Sequence, residues 1–218
     1  EQVAELQQNL RAGIDILTRE LRTAGFDPTG EAGSDITTAT SSEFRLTKDI
    51  TGGETDGLDN DNDGTIDEPD EALYSDKDTN DANEDIRFKL TDDDNNNGIA
   101  DSSEAGVQGV TDDESSSLGR DTGAGLQTVV ENIQALEFLY LDEDGNALPT
   151  PVDTDDIRAI RVSLLARTAR PDDNFTNSMT YTPASDATTL GPTTWGPYND
   201  NFRRRLLIMT VQTRNMGL

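Results

Sequence analysis

EQVAELQQNLRAGIDILTRELRTAGF, residues 1 to 26, is the stretch that decides the fold. Its apolar residues fall at Val3, Leu6, Leu10, Ile14, Leu17, Leu21 and Ala24, in steps of three and four that draw one stripe along an α-helix. Gln7, Gln8, Arg11, Asp15, Arg19, Glu20 and Arg22 occupy the other faces. Gly25 offers a left-handed cap and Pro28 cannot continue a helix, so the helix ends there. A stripe of this kind packs on a core, and the rest of the chain must supply the opposing surface.

That surface reads as a sheet. Glu43 to Lys48 places Phe44 and Leu46 on one face, and Asp85 to Thr91 alternates Ile86, Phe88 and Leu90 inward with Arg87 and Lys89 outward. Thr128 to Leu141 is a longer apolar strand followed by an Asp144-Gly145 turn. Ile157 to Arg167 puts Ile160, Val162, Leu164 and Ala166 on one face, and Leu206 to Arg214 is a further strand. One amphipathic helix followed by antiparallel strands predicts an α+β arrangement with the helix across one sheet face. Pro171 to Asn201 is a Pro-, Asn-, Thr- and Gly-rich connection, which Trp195, Pro197 and Tyr198 are expected to pin to the sheet edge.

Composition narrows the function. The 218 residues carry a net charge of −27, and only 32% are hydrophobic. Such acidity excludes binding to nucleic acid through its phosphates and disfavours an anionic membrane surface. The chain has neither cysteine nor histidine, which removes thiolate and imidazole chemistry and most zinc or copper sites. No apolar run is long enough to cross a membrane.

The acid is concentrated: residues 54 to 104 hold nineteen Asp and Glu against Lys77, Arg87 and Lys89. Its spacing matches a calcium loop twice. In the first match, Asp59, Asp61 and Asp63 take positions one, three and five, Gly64 six, Thr65 seven by its carbonyl, Asp67 nine and Asp70 twelve. Ile66 is expected to anchor this loop to apolar structure. In the second, Asp93, Asn95 and Asn97 precede Gly98, with Ile99 at seven, Asp101 at nine and Glu104 at twelve. Asn-Gly-Ile-x-Asp resembles the loops of thrombospondin type 3 repeats more than paired EF-hands. Two Ca2+ sites are therefore expected, in loops 56–71 and 92–105, with the more highly charged first loop binding more tightly. Carboxylate-based hydrolysis is the remaining enzymatic reading, but no nucleophile elbow, phosphate-cradling loop or dinucleotide fingerprint occurs.

Four stretches carry a family resemblance. LTRELRTAGF (17–26), ENIQALEFLYLDEDG (131–145), IRAIRVSLLART (157–168), and RRRLL (203–207) with the Arg214-Asn215 ending follow one another in the order found in PilW-like minor pilins and the related minor pseudopilin J of type II secretion. The resemblance implies a pilin-like fold, with residues 1–26 as the C-terminal half of a stem helix and 27–218 as a β head. It also implies an inner-membrane precursor with a cleaved leader and an apolar stem upstream of Glu1. Partners would be other pilin or pseudopilin subunits, the head would be displayed in the periplasm or outside the cell, and the role would be structural, initiating or capping a filament of a type IV pilus or type II secretion system, with no catalysis. A calcium-dependent adhesin module binding glycan or a cell surface is the alternative. Trp195 reads as a packing plug, and Arg203 to Arg205 as partners for nearby carboxylates.

Overall fold

The computed structural model describes residues 2–100, 116–187 and 194–215. It contains one long helix, α1 (Gln2–Thr23), and the strands β1 (Ile36–Ala39), β2 (Phe44–Thr47), β3 (Asp85–Leu90), β4 (Ser116–Asp121), β5 (Gln127–Leu141), β6 (Ala159–Arg167) and β7 (Arg204–Gln212). Among the described residues these strands form one antiparallel sheet whose spatial order follows the chain from β1 to β7. Helix α1 crosses the β5–β7 half, as the helical stripe predicts.

The stripe becomes the core. Leu6, Leu10, Ile14, Leu17 and Leu21 are buried against Val130, Ile160, Val162 and Leu164. Burying a leucine contributes about 1.5–3 kcal/mol, so this face holds the helix far more firmly than helix propensity does. Gly13 lets the helix approach closely, since a Cβ there would sit 3.3 Å from Val130 Cγ2. Phe44 meets Phe138 with ring centroids 5.8 Å apart, and the Tyr140 hydroxyl donates to the Thr40 carbonyl at 2.8 Å. The helix ends at Gly25 (φ 69°), whose N–H donates to Thr47 in the sheet. Glu20, assigned by periodicity to a solvent face, lies partly buried between Lys48 and Arg120, each 3.0 Å away.

Two strands were absent from the sequence reading: β1 has one buried apolar residue, and β4, with sequence SSLGRD, carries only Leu118. Both owe their geometry to neighbouring strands. Trp195 is buried with Tyr181, Ala135 and Leu165, which places the plug over the outer face of β5 and β6 rather than at the sheet edge.

Candidate metal centre

Residues 48–84 leave the sheet after β2 and return at β3, at the end of the head where α1 stops, since Asp49 N–H donates to the Phe26 carbonyl. This excursion has almost no apolar interior. Three fully buried carboxylates organise it instead. Glu84 accepts the N–H groups of Ile50 and Thr51, both at 2.8 Å, and the Thr51 hydroxyl at 2.9 Å. Asp49 accepts from the backbone of Asp76 and Lys77, and Glu71 from Asn60, Asp61 and Glu68. Backbone donors thus satisfy carboxylates that water cannot reach. Burial, reinforced by Glu84 and Asp76, pushes the Asp49 carboxyl up to about 6.

The two sequence-predicted loops share one hydrogen-bond pattern. Asp59 accepts from Asp63 N–H and Gly64 N–H, both at 3.0 Å, Asp61 accepts from Asp63 N–H, and Asp63 accepts from Thr65 N–H. In the second loop Asp93 accepts from Asn97 N–H and Gly98 N–H, both at 2.9 Å, Asn95 from Asn97 N–H, and Asn97 from Ile99 N–H at 2.7 Å. Position one therefore gathers five and six, three gathers five, and five gathers seven, in both loops.

The carboxylates of Asp59, Asp61 and Asp63 converge closely enough to share one ion. Asp67 and Asp70 stand outside that close group: Asp67 accepts the Gly57 N–H at 2.7 Å, and Asp70 lies exposed in the short helix Pro69–Leu73. Ile66 is 58% exposed, so the expected apolar anchor of the first loop is not made. Ile99, its counterpart, does anchor the second loop, bridging to Ala135 and packing beside Trp195. Asp101 and Glu104 lie outside the described residues. Beside the first loop, the Glu68 carboxyl is pushed up to about 7 by desolvation and then by Asp63, Glu71 and Asp70.

A third group went unread in the sequence. Asp76, Asp78 and the buried Glu84 also converge. Asp76-x-Asp78-x-Asn80 repeats the opening of a calcium loop, but Asp81 replaces the glycine at six. The bend is accommodated elsewhere: a Cβ on Gly52 would lie 2.4 Å from both Asp76 Oδ2 and Asp81 Oδ2. Every donor in these groups is a hard oxygen, which fits Ca2+ or Mg2+ and not a thiophilic ion.

The family described as PilW, type IV pilus-assembly protein W, matches residues 99–215, more than half of the chain. The chain belongs to the PilW family. The matched part runs through β4 to β7; the acidic excursion 48–84 and α1 of this PilW-family chain lie before it. Among solved structures, a type IV-like pilin from Thermus thermophilus is similar at 16% identity and a TM-score of 0.47, covering 98% of this chain and 97% of that one. No curated protein matches. Among the described residues, no helix is long and apolar enough to cross a membrane.

Proposed function

We infer that this chain is the head of a structural minor pilin or pseudopilin that helps to initiate or cap a filament, with calcium folding its acidic loops. The match of the PilW family to residues 99–215 carries the filament reading. An amphipathic helix across one face of the sheet suits a subunit held by its stem while the head stays in water. Its partners are other pilin or pseudopilin subunits, its precursor sits in the inner membrane, and its head works in the periplasm or outside the cell. The role is structural, in keeping with the family, and no catalytic residue is assigned.

The shared hydrogen-bond pattern of the two loops supports the calcium part. The ligands proposed are Asp59, Asp61, Asp63, the Thr65 carbonyl, Asp67 and Asp70 in one loop, with Asp93, Asn95, Asn97, the Ile99 carbonyl, Asp101 and Glu104 in the other. Asp67 and Asp70 would swing inward to complete a shell of six to eight oxygens. Extracellular calcium modules bind at about 10⁻⁴–10⁻³ M, which fills the sites outside a cell and leaves them empty in cytosol.

Deleting the gene in its own host and counting surface filaments tests the reading. Loss of filaments, restored by the wild-type gene and only weakly by a copy carrying Asp59→Ala and Asp93→Ala, is expected. Undiminished filaments together with normal type II secretion would contradict it.

A further inference from the structure

Charge is segregated across the head. The segments 157–171 and 201–218, which contain β6 and β7 and their ends, hold eight arginines and no Asp or Glu in a chain of net charge −27. At the other side of the sheet, residues 54–84 hold thirteen Asp and Glu against the single Lys77. One Ca2+ bound in loop 59–70 would leave that excursion at about −10, still strongly acidic.

Strand β7 is also an open edge. It has no strand partner beyond β6 among the described residues. Its ladder with β6 runs through nine consecutive pairs without a bulge, whereas the β1–β2, β4–β5 and β5–β6 ladders each carry a shift in register. Thr168 N–H donates to the Arg203 carbonyl and Thr213 N–H to the Arg158 carbonyl, so the ladder bonds fall on odd-numbered residues of β7. The N–H groups of Leu206, Ile208 and Thr210 consequently point away from β6. Ile208 is 42% exposed, and Arg205 is exposed with no ion-pair partner among the described residues, while Arg203 and Arg204 hold Asp172 and Asp200. An undefended edge of this length is a surface that other chains pair with or dock on.

The acidic excursion offers the complement. Among the described residues, Leu58, Ile66, Leu73 and Tyr74 are four of eight exposed large apolar residues, and Leu73 is 82% exposed. They stand among Asp56, Asp67, Glu68 and Asp70. An acidic, apolar-tipped surface thus faces one way and an arginine-flanked, apolar edge the other.

We propose that the β7 edge is a docking site for the acidic excursion of a second copy of this chain. The outward N–H groups of Leu206, Ile208 and Thr210 and the Arg205 guanidinium receive carboxylates, while Ile208 packs against the exposed Leu73 and Tyr74 of the second copy. The contact joins two different surfaces, so it is heterologous and leaves a free edge and a free excursion for the next copy. This assignment deepens the filament reading and rests on it for its purpose: two or more copies joined this way form a seed from which a filament starts.

Sedimentation velocity of the head at tens of micromolar tests it. Because the contact is electrostatic, the wild type is expected to self-associate at ~20 mM salt and to dissociate at ~500 mM, where screening acts over only a few ångströms. Arg205→Glu is expected to weaken association at least tenfold. Ile208→Pro does the same by removing an outward N–H that β6 does not use, with unchanged melting as its folding control. Asp70→Lys weakens association alone, and mixing it with Arg205→Glu restores a contact in one direction. A monomer at low salt, or association indifferent to both edge changes, overturns the proposal. A monomeric head in a host that needs the gene for filaments removes this contact alone and leaves the pilin reading standing.

Discussion

Loops 59–65 and 93–99 carry the same hydrogen bonds and live in opposite surroundings. The first is solvent-exposed through Asp61 to Asp67, and nothing lies within 4 Å of where a Gly64 side chain would start. The second is built onto β5: Leu136 N–H donates to the Gly98 carbonyl at 2.8 Å, Ala100 N–H to Gln134, and Asp93 is 1% exposed. Lys89 adds a cation, its Nζ reaching the Asp93 carbonyl and Asn96 Oδ1. The local pattern of a turn therefore does not determine what holds it. The second loop is held by the protein, whereas the first gathers three carboxylates with no cation beside them among the described residues, and under the proposed function an ion is what would keep it closed.

The glycines separate the two loops most sharply. Gly98 has φ 79° and a Cβ there would sit 2.4 Å from the Leu136 carbonyl oxygen, so Gly98→Ala is expected to cost about 3 kcal/mol or more by urea denaturation. Gly64, at φ 104° in open space, meets the backbone term only, and Gly64→Ala should cost about 1–2 kcal/mol. Equal losses would show that the loops are equally embedded.

The position-one aspartates repeat the contrast. Asp93→Ala leaves the Asn97 and Gly98 N–H groups without their acceptor in a buried place, an expected loss of about 1–3 kcal/mol already in chelator, to which the lost ion site adds in calcium. Asp59→Ala in chelator should change stability by less than about 0.5 kcal/mol, because the N–H groups it releases, those of Asp63 and Gly64, belong to exposed residues that water can reach. Its effect appears only when calcium is present.

Acidity divides the molecule along a third line. The Asp49 carboxyl sits at about 6 in the fold against 3.8 for the free group, so its ionised form opposes folding above pH 6. That opposition is relieved as pH falls from 6 towards 4, because the folded state then binds the proton more tightly than the unfolded chain does. Asp172 and Asp200 behave oppositely. For Asp172 the hydrogen bond from Arg203 comes first in lowering its value; for Asp200 desolvation raises it, and Arg204, the Phe202 N–H and Arg167 together outweigh that. Their stabilisation is present above the ordinary carboxylate range and lost as pH falls below it. In chelator, limited proteolysis within 48–84 should therefore slow between pH 7 and pH 5, while cleavage around 170–200 stays constant there and rises only below about pH 4. Faster cleavage of both segments at pH 5 would contradict these signs.

Legibility followed the reach of each interaction. The α1 stripe and the runs of β5, β6 and β7 bury side chains at their own period, and their sequences display it. Strands β1 and β4 are four and six residues long with little apolar content, and only pairing with β2, β3 and β5 makes them strands. Loops 59–65 and 93–99 were readable because their bonds span at most six positions. Glu84 escaped notice because its partners at Ile50 and Thr51 lie more than thirty positions away. Buried Asp49, Glu71 and Glu84 were missed for a related reason: in so acidic a stretch, sequence marks no difference between a solvated carboxylate and one that organises backbone.

Thermal melting of the wild-type head in chelator and in millimolar calcium tests the central claim most directly, with Asp61→Ala beside it. At ten times the dissociation constant, each filled site adds about 1.4 kcal/mol, or roughly 3–6 °C for a domain of this size. The account predicts a calcium-dependent rise of that order in the wild type, cut substantially by Asp61→Ala. Superimposable wild-type curves with and without calcium would contradict it.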